Sequence, residues 1–202
     1  MSASGKQSAG SNSNAVSEAE PRLQRFRSLP KALSEARRTA RLVALSPGGH
    51  RGPKINALLN VVRSCQDIIG MLIYSGVFDR HPELKVVAVE SDAGWAPHYA
   101  YRMDHIYKRH RFWLTCAELE RMPSDYFKEN IYLTFQDDWS ALKAKDQLNT
   151  DRLMWANDFP HSDSTWPWSQ DMLAEHTKDL TAHEKRRILH DNVRELYNLP
   201  MN

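Results

Sequence analysis

The feature that most constrains the fold is an alternation of short apolar runs with longer stretches at helical spacing. The runs Lys85–Glu90 and Ile131–Phe135 are rich in apolar residues, many of them β-branched or aromatic, which is typical of strands covered on both faces. We predict strands at 42–45, 85–90, 131–135 and 152–156, and helices at 56–78, 96–115, 138–147, 168–176 and 181–197. This order predicts an α/β fold with a parallel sheet and crossover helices.

Two local signals refine this prediction. Gly94 permits a tight turn before the helix at 96–115. Thr181 followed by Glu184 forms a capping-box pattern at the start of the last helix. Four strand–helix units suit either a small open α/β fold or half of a (β/α)₈ barrel, and the pattern alone leaves both possibilities open.

Composition limits the partners and the compartment. The formal net charge of +2 over 202 residues is too small to indicate a nucleic-acid or membrane partner, and no apolar run approaches the ~18–20 residues that span a bilayer. Residues 1–54 hold ten Lys or Arg against three acids. We interpret 1–41 as a disordered basic leader and 42–202 as the folded domain. Cys65 and Cys116 favour free thiols and a cytoplasmic location.

Two carboxylates follow predicted strands directly. Asp158 comes after the strand at 152–156, and Glu90 ends the strand at 85–90. The carboxyl ends of parallel strands meet at one edge, where α/β proteins bind ligands. A carboxylate there can bind a divalent metal or accept a proton from metal-bound water. The structural alternatives are that Asp158 caps the next helix and that Glu90 is only a hydrogen-bonded structural carboxylate.

A histidine also lies on a predicted loop after a strand. His50 follows the glycine pair of Ser46-Pro-Gly-Gly, and neutral imidazole is a common metal ligand. The alternative is an incidental surface histidine on a glycine-rich loop. No H-x-H, H-E-x-x-H or C-x-x-C pattern and no phosphate-binding glycine loop occurs in the sequence.

Several motifs in series resemble the amidohydrolase-related family that includes aminocarboxymuconate-semialdehyde decarboxylase and other aromatic-acid decarboxylases. The resemblance runs from about Leu72 to Pro200. It rests on Ser75-Gly-Val-Phe78, Glu90-x-x-x-Gly-Trp95-x-Pro97, Arg102-Met-Asp104, Pro123-Ser-x-Tyr126-Phe127, Phe135-Gln-Asp-Asp138, Met154-Trp-x-x-Asp158-Phe-Pro-His161 and Asp191-Asn192.

The resemblance implies a distorted (β/α)₈ TIM barrel with one divalent metal, zinc or manganese, at its mouth. The family holds this metal with an H-x-H pair on the first strand, a His on the fifth and an Asp on the eighth. By position Asp158 matches the eighth-strand ligand, and His50 is the candidate for the fifth-strand His, with Pro47 as the alternative at that place.

The resemblance also implies roles for the neighbouring residues. Glu90 stands where the decarboxylases carry an acid–base His after the sixth strand, so it is a catalytic candidate together with Asp158. His161, Trp166 and Trp95 are implied substrate-binding residues.

Only strands five to eight are matched, and the H-x-H pair is missing. The first hypothesis is therefore a metal-dependent hydrolase or decarboxylase acting on a small aromatic or carboxylated substrate, incomplete in this chain. The second is a non-catalytic truncated remnant that forms a homo-oligomer or pairs with a full-length paralogue. A third hypothesis, a nucleic-acid-binding role for 21–41, rests on one basic stretch without interleaved aromatic residues.

Overall fold

The computed structural model describes residues 54–200, within which three short strands form one parallel sheet. The strands are Val86–Ala88 (β1), Ile131–Phe135 (β2) and Leu153–Trp155 (β3), and β2 lies in the middle. In the register of the pairs, Ala88 lies opposite Leu133, which lies opposite Leu153. The α/β class and the parallel pairing predicted from the sequence are confirmed, whereas the strand expected at 42–45, the leader 1–41 and His50 lie outside the described residues.

Helices precede, separate and follow these strands. They are α1 (Asn60–Tyr74), α2 (Val77–Arg80), α3 (Ala96–His110), α4 (Pro123–Asn130), α5 (Trp139–Lys143), α6 (Ser169–His176), α7 (Ala182–Arg186) and α8 (Asn192–Tyr197). A π-helical turn at Arg187–Asp191 joins α7 to α8, and 3₁₀ turns occupy Lys54–Ala57, Lys145–Gln147 and Thr150–Arg152. No helix in the range 54–200 is both long and apolar enough to cross a membrane.

Several predicted helix boundaries were wrong. The helix expected at 56–78 is interrupted at Gly76, whose φ of 65° is left-handed. The helix expected to reach residue 115 ends at His110, and the one expected over 138–147 ends at Lys143. Helix α4 was not predicted, because it is only eight residues long and its main start signal is Pro123 at the first helical position.

One part of the core lies where α1, α2 and α4 pack together. Ile69, Leu72 and Phe78 are each 1% exposed, and the Phe78 ring stacks with Tyr126 at 6.4 Å between centroids. The Tyr126 hydroxyl donates to Asp79, which ties α4 to α2.

Asp104 on α3 caps the following helix. Its two carboxylate oxygens accept from the backbone N and the Oγ of Ser124, each at 2.8 Å. The carboxylate therefore caps the first turn of α4 and fixes this helix against α3.

Candidate metal centre

Two carboxylates meet at the carboxyl edge of the sheet because each follows a parallel strand. Glu90 comes two residues after β1, and Asp158 comes three residues after β3. Both have left-handed backbones, with φ of 55° and 57°. This conformation is uncommon for residues other than glycine, and such strained positions cluster at functional sites.

The turn that carries Glu90 is fixed by hydrogen bonds. The Glu90 backbone N donates to Thr134 Oγ1 of β2 at 2.9 Å. The buried Ser91 Oγ donates to the Ala88 carbonyl at 2.9 Å, and Trp95 Nε1 donates to the Ser91 carbonyl at 2.7 Å. The backbone position of Glu90 is therefore set by the neighbouring strand as well as by its own turn.

Asp138, whose clamping role was not predicted from the sequence, holds the same turn from the other side. One oxygen accepts from the backbone N of Ala93 at 2.8 Å and of Gly94 at 2.6 Å, and the other accepts from Ser140 Oγ and Ala141 N. Burial would raise the pKa of Asp138, but these hydrogen bonds outweigh it and leave the pKa below its ordinary value.

Gly94 is needed for this clamp and not for the turn conformation expected of it. Its φ is not in the left-handed region, but a Cβ there would overlap Ser140 Oγ and come within 2.8 Å of Asp138 Oδ1. The missing side chain lets the turn approach α5 closely enough for the Asp138 hydrogen bonds to form.

The carboxyl edge is electrostatically negative near Glu90. Burial, followed by repulsion from Asp138, Asp137 and Asp163, raises the pKa of Asp92, although a hydrogen bond with the Gln136 backbone opposes this. Repulsion among carboxylates favours either a protonated acid or a bound cation in this region.

The loop after β3 brings a histidine to Asp158. His161 Nδ1 lies 3.0 and 3.2 Å from the two Asp158 carboxylate oxygens, and its backbone N donates to the Asp158 carbonyl at 2.9 Å. The Asp158 side chain is 15% exposed and that of His161 is 68% exposed. The pair therefore combines a sheltered carboxylate with an imidazole that solvent or a ligand can reach.

Glu90, Asp158 and His161 converge on one point. Each offers one ligand atom, and these atoms all lie within 4.8 Å of one another. Two carboxylate oxygens and one imidazole nitrogen match the ligand chemistry of zinc and manganese. These donors fit a divalent ion, so the structure brings together three residues that the sequence singled out separately.

Two exposed aromatic rings lie on the same loop as Asp158 and His161. Phe159 and Trp166 are 62% and 58% exposed, and their ring centroids lie 5.4 Å apart in an edge-to-face arrangement. The Phe159 backbone N donates to Asn157 Oδ1 at 3.2 Å, and the Trp166 N donates to Ser164 Oγ at 3.1 Å. Phe159 was not among the predicted site residues, although its place directly after Asp158 was a usable signal.

Trp95, the other predicted substrate-binding residue, has internal contacts. Its ring lies edge-on to Tyr99 at 5.3 Å and to Phe127 at 6.0 Å, and its N–H is used within the Glu90 turn. These contacts give Trp95 a packing role, and its substrate-binding role stays a prediction.

Comparison with known proteins agrees with the motif resemblance. A family model described as amidohydrolase matches residues 61–199. Gamma-resorcylate decarboxylase from Polaromonas sp. (strain JS666 / ATCC BAA-500) is 25% identical over 136 residues, which cover 63% of this chain and 38% of that protein.

Solved structures show a similar fold. The 5-carboxyvanillate decarboxylase LigW from Sphingomonas paucimobilis superposes with a TM-score of 0.59 at 21% identity, covering 69% of this chain and 41% of that chain. A dihydroxybenzoic acid decarboxylase from Polaromonas sp. JS666, with bound manganese and the inhibitor 2-nitroresorcinol, superposes with a TM-score of 0.52 at 22% identity. The match covers 70% of this chain and 40% of that chain. The chain spans about two fifths of the length of these relatives.

The family model covers well over half of the chain and includes Glu90, Asp158 and His161. The resemblance read from the motifs is thereby confirmed. The chain belongs to the amidohydrolase family.

Proposed function

We propose that this chain carries part of the divalent-metal centre of an enzyme that decarboxylates or hydrolyses a small aromatic or carboxylated molecule. The observation that carries the proposal is the convergence of Glu90, Asp158 and His161 within 4.8 Å at the carboxyl edge of the sheet. Decarboxylation is the favoured reaction, since the relatives named above are decarboxylases of aromatic acids. Zinc and manganese both suit the donors, and His50 remains a further candidate ligand by resemblance.

The chain's own residues divide the work. Asp158 and Glu90 would hold the ion, which when bound would polarise a substrate oxygen or lower the pKa of a bound water. The Nδ1 contact with Asp158 orients the His161 ring and leaves Nε2 to move a proton. The exposed rings of Phe159 and Trp166 offer a surface on which an aromatic substrate packs edge-to-face or stacked.

The first test is metal binding by the 202-residue chain. Asp158→Asn, Glu90→Gln and His161→Ala should each raise the dissociation constant for Mn²⁺ or Zn²⁺ by at least about tenfold, because each removes a ligand or a donor in direct contact with one. Titration calorimetry and elemental analysis measure the affinity and the stoichiometry.

Exposed residues of the same types serve as controls. Asp171→Asn on α6 and His183→Ala on α7 remove a carboxylate and an imidazole away from the cluster, and they should leave metal binding unchanged. The proposed centre would be wrong if the parent chain binds no metal, or if the controls weaken binding as much as the three site variants do.

The second candidate function is that of a chain that acts only together with a partner. It is favoured by the observation that the chain spans about two fifths of its relatives' length. In this proposal residues 42–202 supply strands five to eight, and a second copy or a full-length paralogue supplies the H-x-H ligands. We expect the chain alone to show no measurable turnover of γ-resorcylate or 5-carboxyvanillate. Light scattering with a paralogue added, followed by assay of released CO₂, would check this, and robust turnover by the chain alone would contradict it.

A further inference from the structure

A second chemically distinctive surface lies at the end of α3 and in the turn after it. It consists of the exposed cations Lys108, Arg109 and Arg111 followed by Phe112, Trp113 and Leu114, and we call it the basic-aromatic patch. None of these residues contributes to the metal centre. The small net charge of the whole chain does not predict such a local concentration of positive charge.

The apolar half of the patch is unusually open to solvent. Phe112, Trp113 and Leu114 are 76%, 69% and 48% exposed. The backbone N of Trp113 and of Leu114 donate to the His110 carbonyl at 3.1 and 2.9 Å. The turn is therefore held by the end of α3 while three consecutive apolar side chains stay in water, which marks an interaction surface.

The basic half gives the patch a positive field. Desolvation, followed by the charges of Arg109, Arg102 and His110, lowers the pKa of His105 one turn earlier on α3. Asp104 is already engaged by Ser124, and Glu118 is an exposed acid near Arg111 and Phe112. The cations thus outnumber the acidic groups on this surface, which suits an anionic partner.

The geometry of the patch favours a lipid surface over a nucleic acid. The Arg111 guanidinium covers one face of the Phe112 ring at 4.2 Å, and the His110 ring meets Trp113 edge-on at 5.2 Å. Nucleic-acid bases stack on free faces of aromatic rings. One face of Phe112 is already covered and Leu114 has no ring, so the patch is poorly suited to stacking with bases. By contrast, adjacent Trp and apolar residues flanked by Lys and Arg are the side chains that settle at a membrane interface.

The fold separates this surface from the metal centre. Helix α3 begins six residues after Glu90, and the patch lies at the far end of its 15 residues, roughly 20 Å away along the helix axis. Glu90 and Asp158 belong to the carboxyl edge, beside the start of this helix. A partner on the patch would therefore leave the metal centre open to solvent.

We propose that the basic-aromatic patch binds an anionic lipid surface, with Phe112 and Trp113 inserted among the headgroups and Lys108 and Arg109 against the lipid phosphates. The attachment is peripheral, and its electrostatic part weakens as salt screens the phosphates.

The test is co-sedimentation of the 202-residue chain with phosphatidylcholine vesicles and with vesicles containing 30% phosphatidylglycerol. We expect binding to the anionic vesicles only, weakened by 0.5 M NaCl. The double variant Phe112→Ser/Trp113→Ser should reduce the partition coefficient by about tenfold or more, as should Lys108→Gln/Arg109→Gln. Trp139→Ser is the matched control, because Trp139 is a similarly exposed tryptophan on α5.

Thermal unfolding shows whether each variant is folded. If Phe112→Ser/Trp113→Ser does not fold, Lys108→Gln/Arg109→Gln still tests the proposal. The proposal is overturned if the parent chain does not bind anionic vesicles, or if both double variants bind them as well as Trp139→Ser does. Binding of a single-stranded oligonucleotide without any binding to vesicles would also overturn it. The outcome does not depend on whether Asp158 binds metal.

Discussion

At the scale of single residues, the unusual feature is the left-handed backbone of acidic residues at the carboxyl edge. Asp92 and Asp158 have φ of 53° and 57°, which aspartate tolerates because its short side chain bonds locally. Glu90, at 55°, lacks that advantage, so its conformation costs about 1–2 kcal/mol. This cost is consistent with a functional role for the Glu90 carboxylate, because strained backbone positions cluster at functional sites.

We predict that Glu90→Gly folds more stably than Glu90→Ala by about 1 kcal/mol, since glycine adopts this φ freely whereas alanine keeps the Cβ clash. Both variants should lose metal affinity equally, because both lack the carboxylate. Urea unfolding gives the stability difference and calorimetry gives the affinity. Equal stability of the two variants would mean that the backbone at position 90 relaxes at no cost.

At the scale of elements, α7 shows how a sequence signal becomes a tertiary contact. Thr181 Oγ1 accepts from the Glu184 backbone N at 3.2 Å, and Glu184 Oε2 accepts from the Thr181 N at 2.7 Å, so the predicted capping box is present. Lys145 Nζ also donates to Glu184 Oε1 at 2.6 Å. This hydrogen bond from Lys145, together with those from Thr181, lowers the pKa of Glu184 to about 2.

We predict an acid-dependent role for Glu184. Because its pKa in the folded chain lies below its ordinary value of 4.5, its stabilising effect is present above pH 4.5 and is lost as the pH falls toward 2. The parent should therefore unfold at a higher temperature than Glu184→Gln at pH 6, and the gap should close near pH 2. A gap that stays constant across this range would show that ionisation of Glu184 contributes nothing.

Two buried asparagines hold the chain where it enters β1 and β3. Asn130 Nδ2 donates to the carbonyls of Pro82 and Leu84 just before β1, and Asn192 Nδ2 donates to those of Thr150 and Leu153 at the start of β3. Each buried amide holds the chain as it enters a strand. The parallel pairing of β1 and β3 with β2 then brings Glu90 and Asp158 to the same edge of the sheet.

At the scale of the whole molecule, two surfaces differ in charge. The carboxyl edge gathers acids, and their repulsion helps to raise the pKa of Asp92, whereas the basic-aromatic patch lies at the far end of α3. A carboxylated substrate would be repelled from the carboxyl edge unless a cation were bound there, so the ion and the acid should bind cooperatively.

We predict that Zn²⁺ at saturating concentration strengthens benzoate binding to the chain by at least about fivefold. The affinity for benzamide should stay nearly unchanged, since only benzoate is charged. Ligand-observed NMR measures both affinities. Trp166→Ala should weaken both ligands by roughly two- to tenfold through lost ring contact, with metal binding intact. Equal effects of the ion on the charged and the neutral ligand would contradict the electrostatic argument.

The sequence by itself located the three described strands and most of the helices, because apolar runs and helical spacing are local properties of the chain. It also located Glu90 and Asp158, since each directly follows an apolar run, and its motifs indicated the family. It did not reveal α4, whose eight residues are stabilised by capping from Asp104, nor the early end of α3 at His110. The first depends on a partner that is distant in the sequence, and the second depends on where one turn of helix ends.

Tertiary structure decided which of these residues meet. Glu90 and His161 are 71 positions apart in the sequence, and no local pattern states that they share a site. Parallel pairing through β2 brings their loops together, Thr134 and Asp138 fix the first loop, and the Asp158 contact fixes the histidine. The exposure of Phe112 and Trp113 was likewise invisible in the sequence, because exposure depends on what the rest of the fold leaves uncovered.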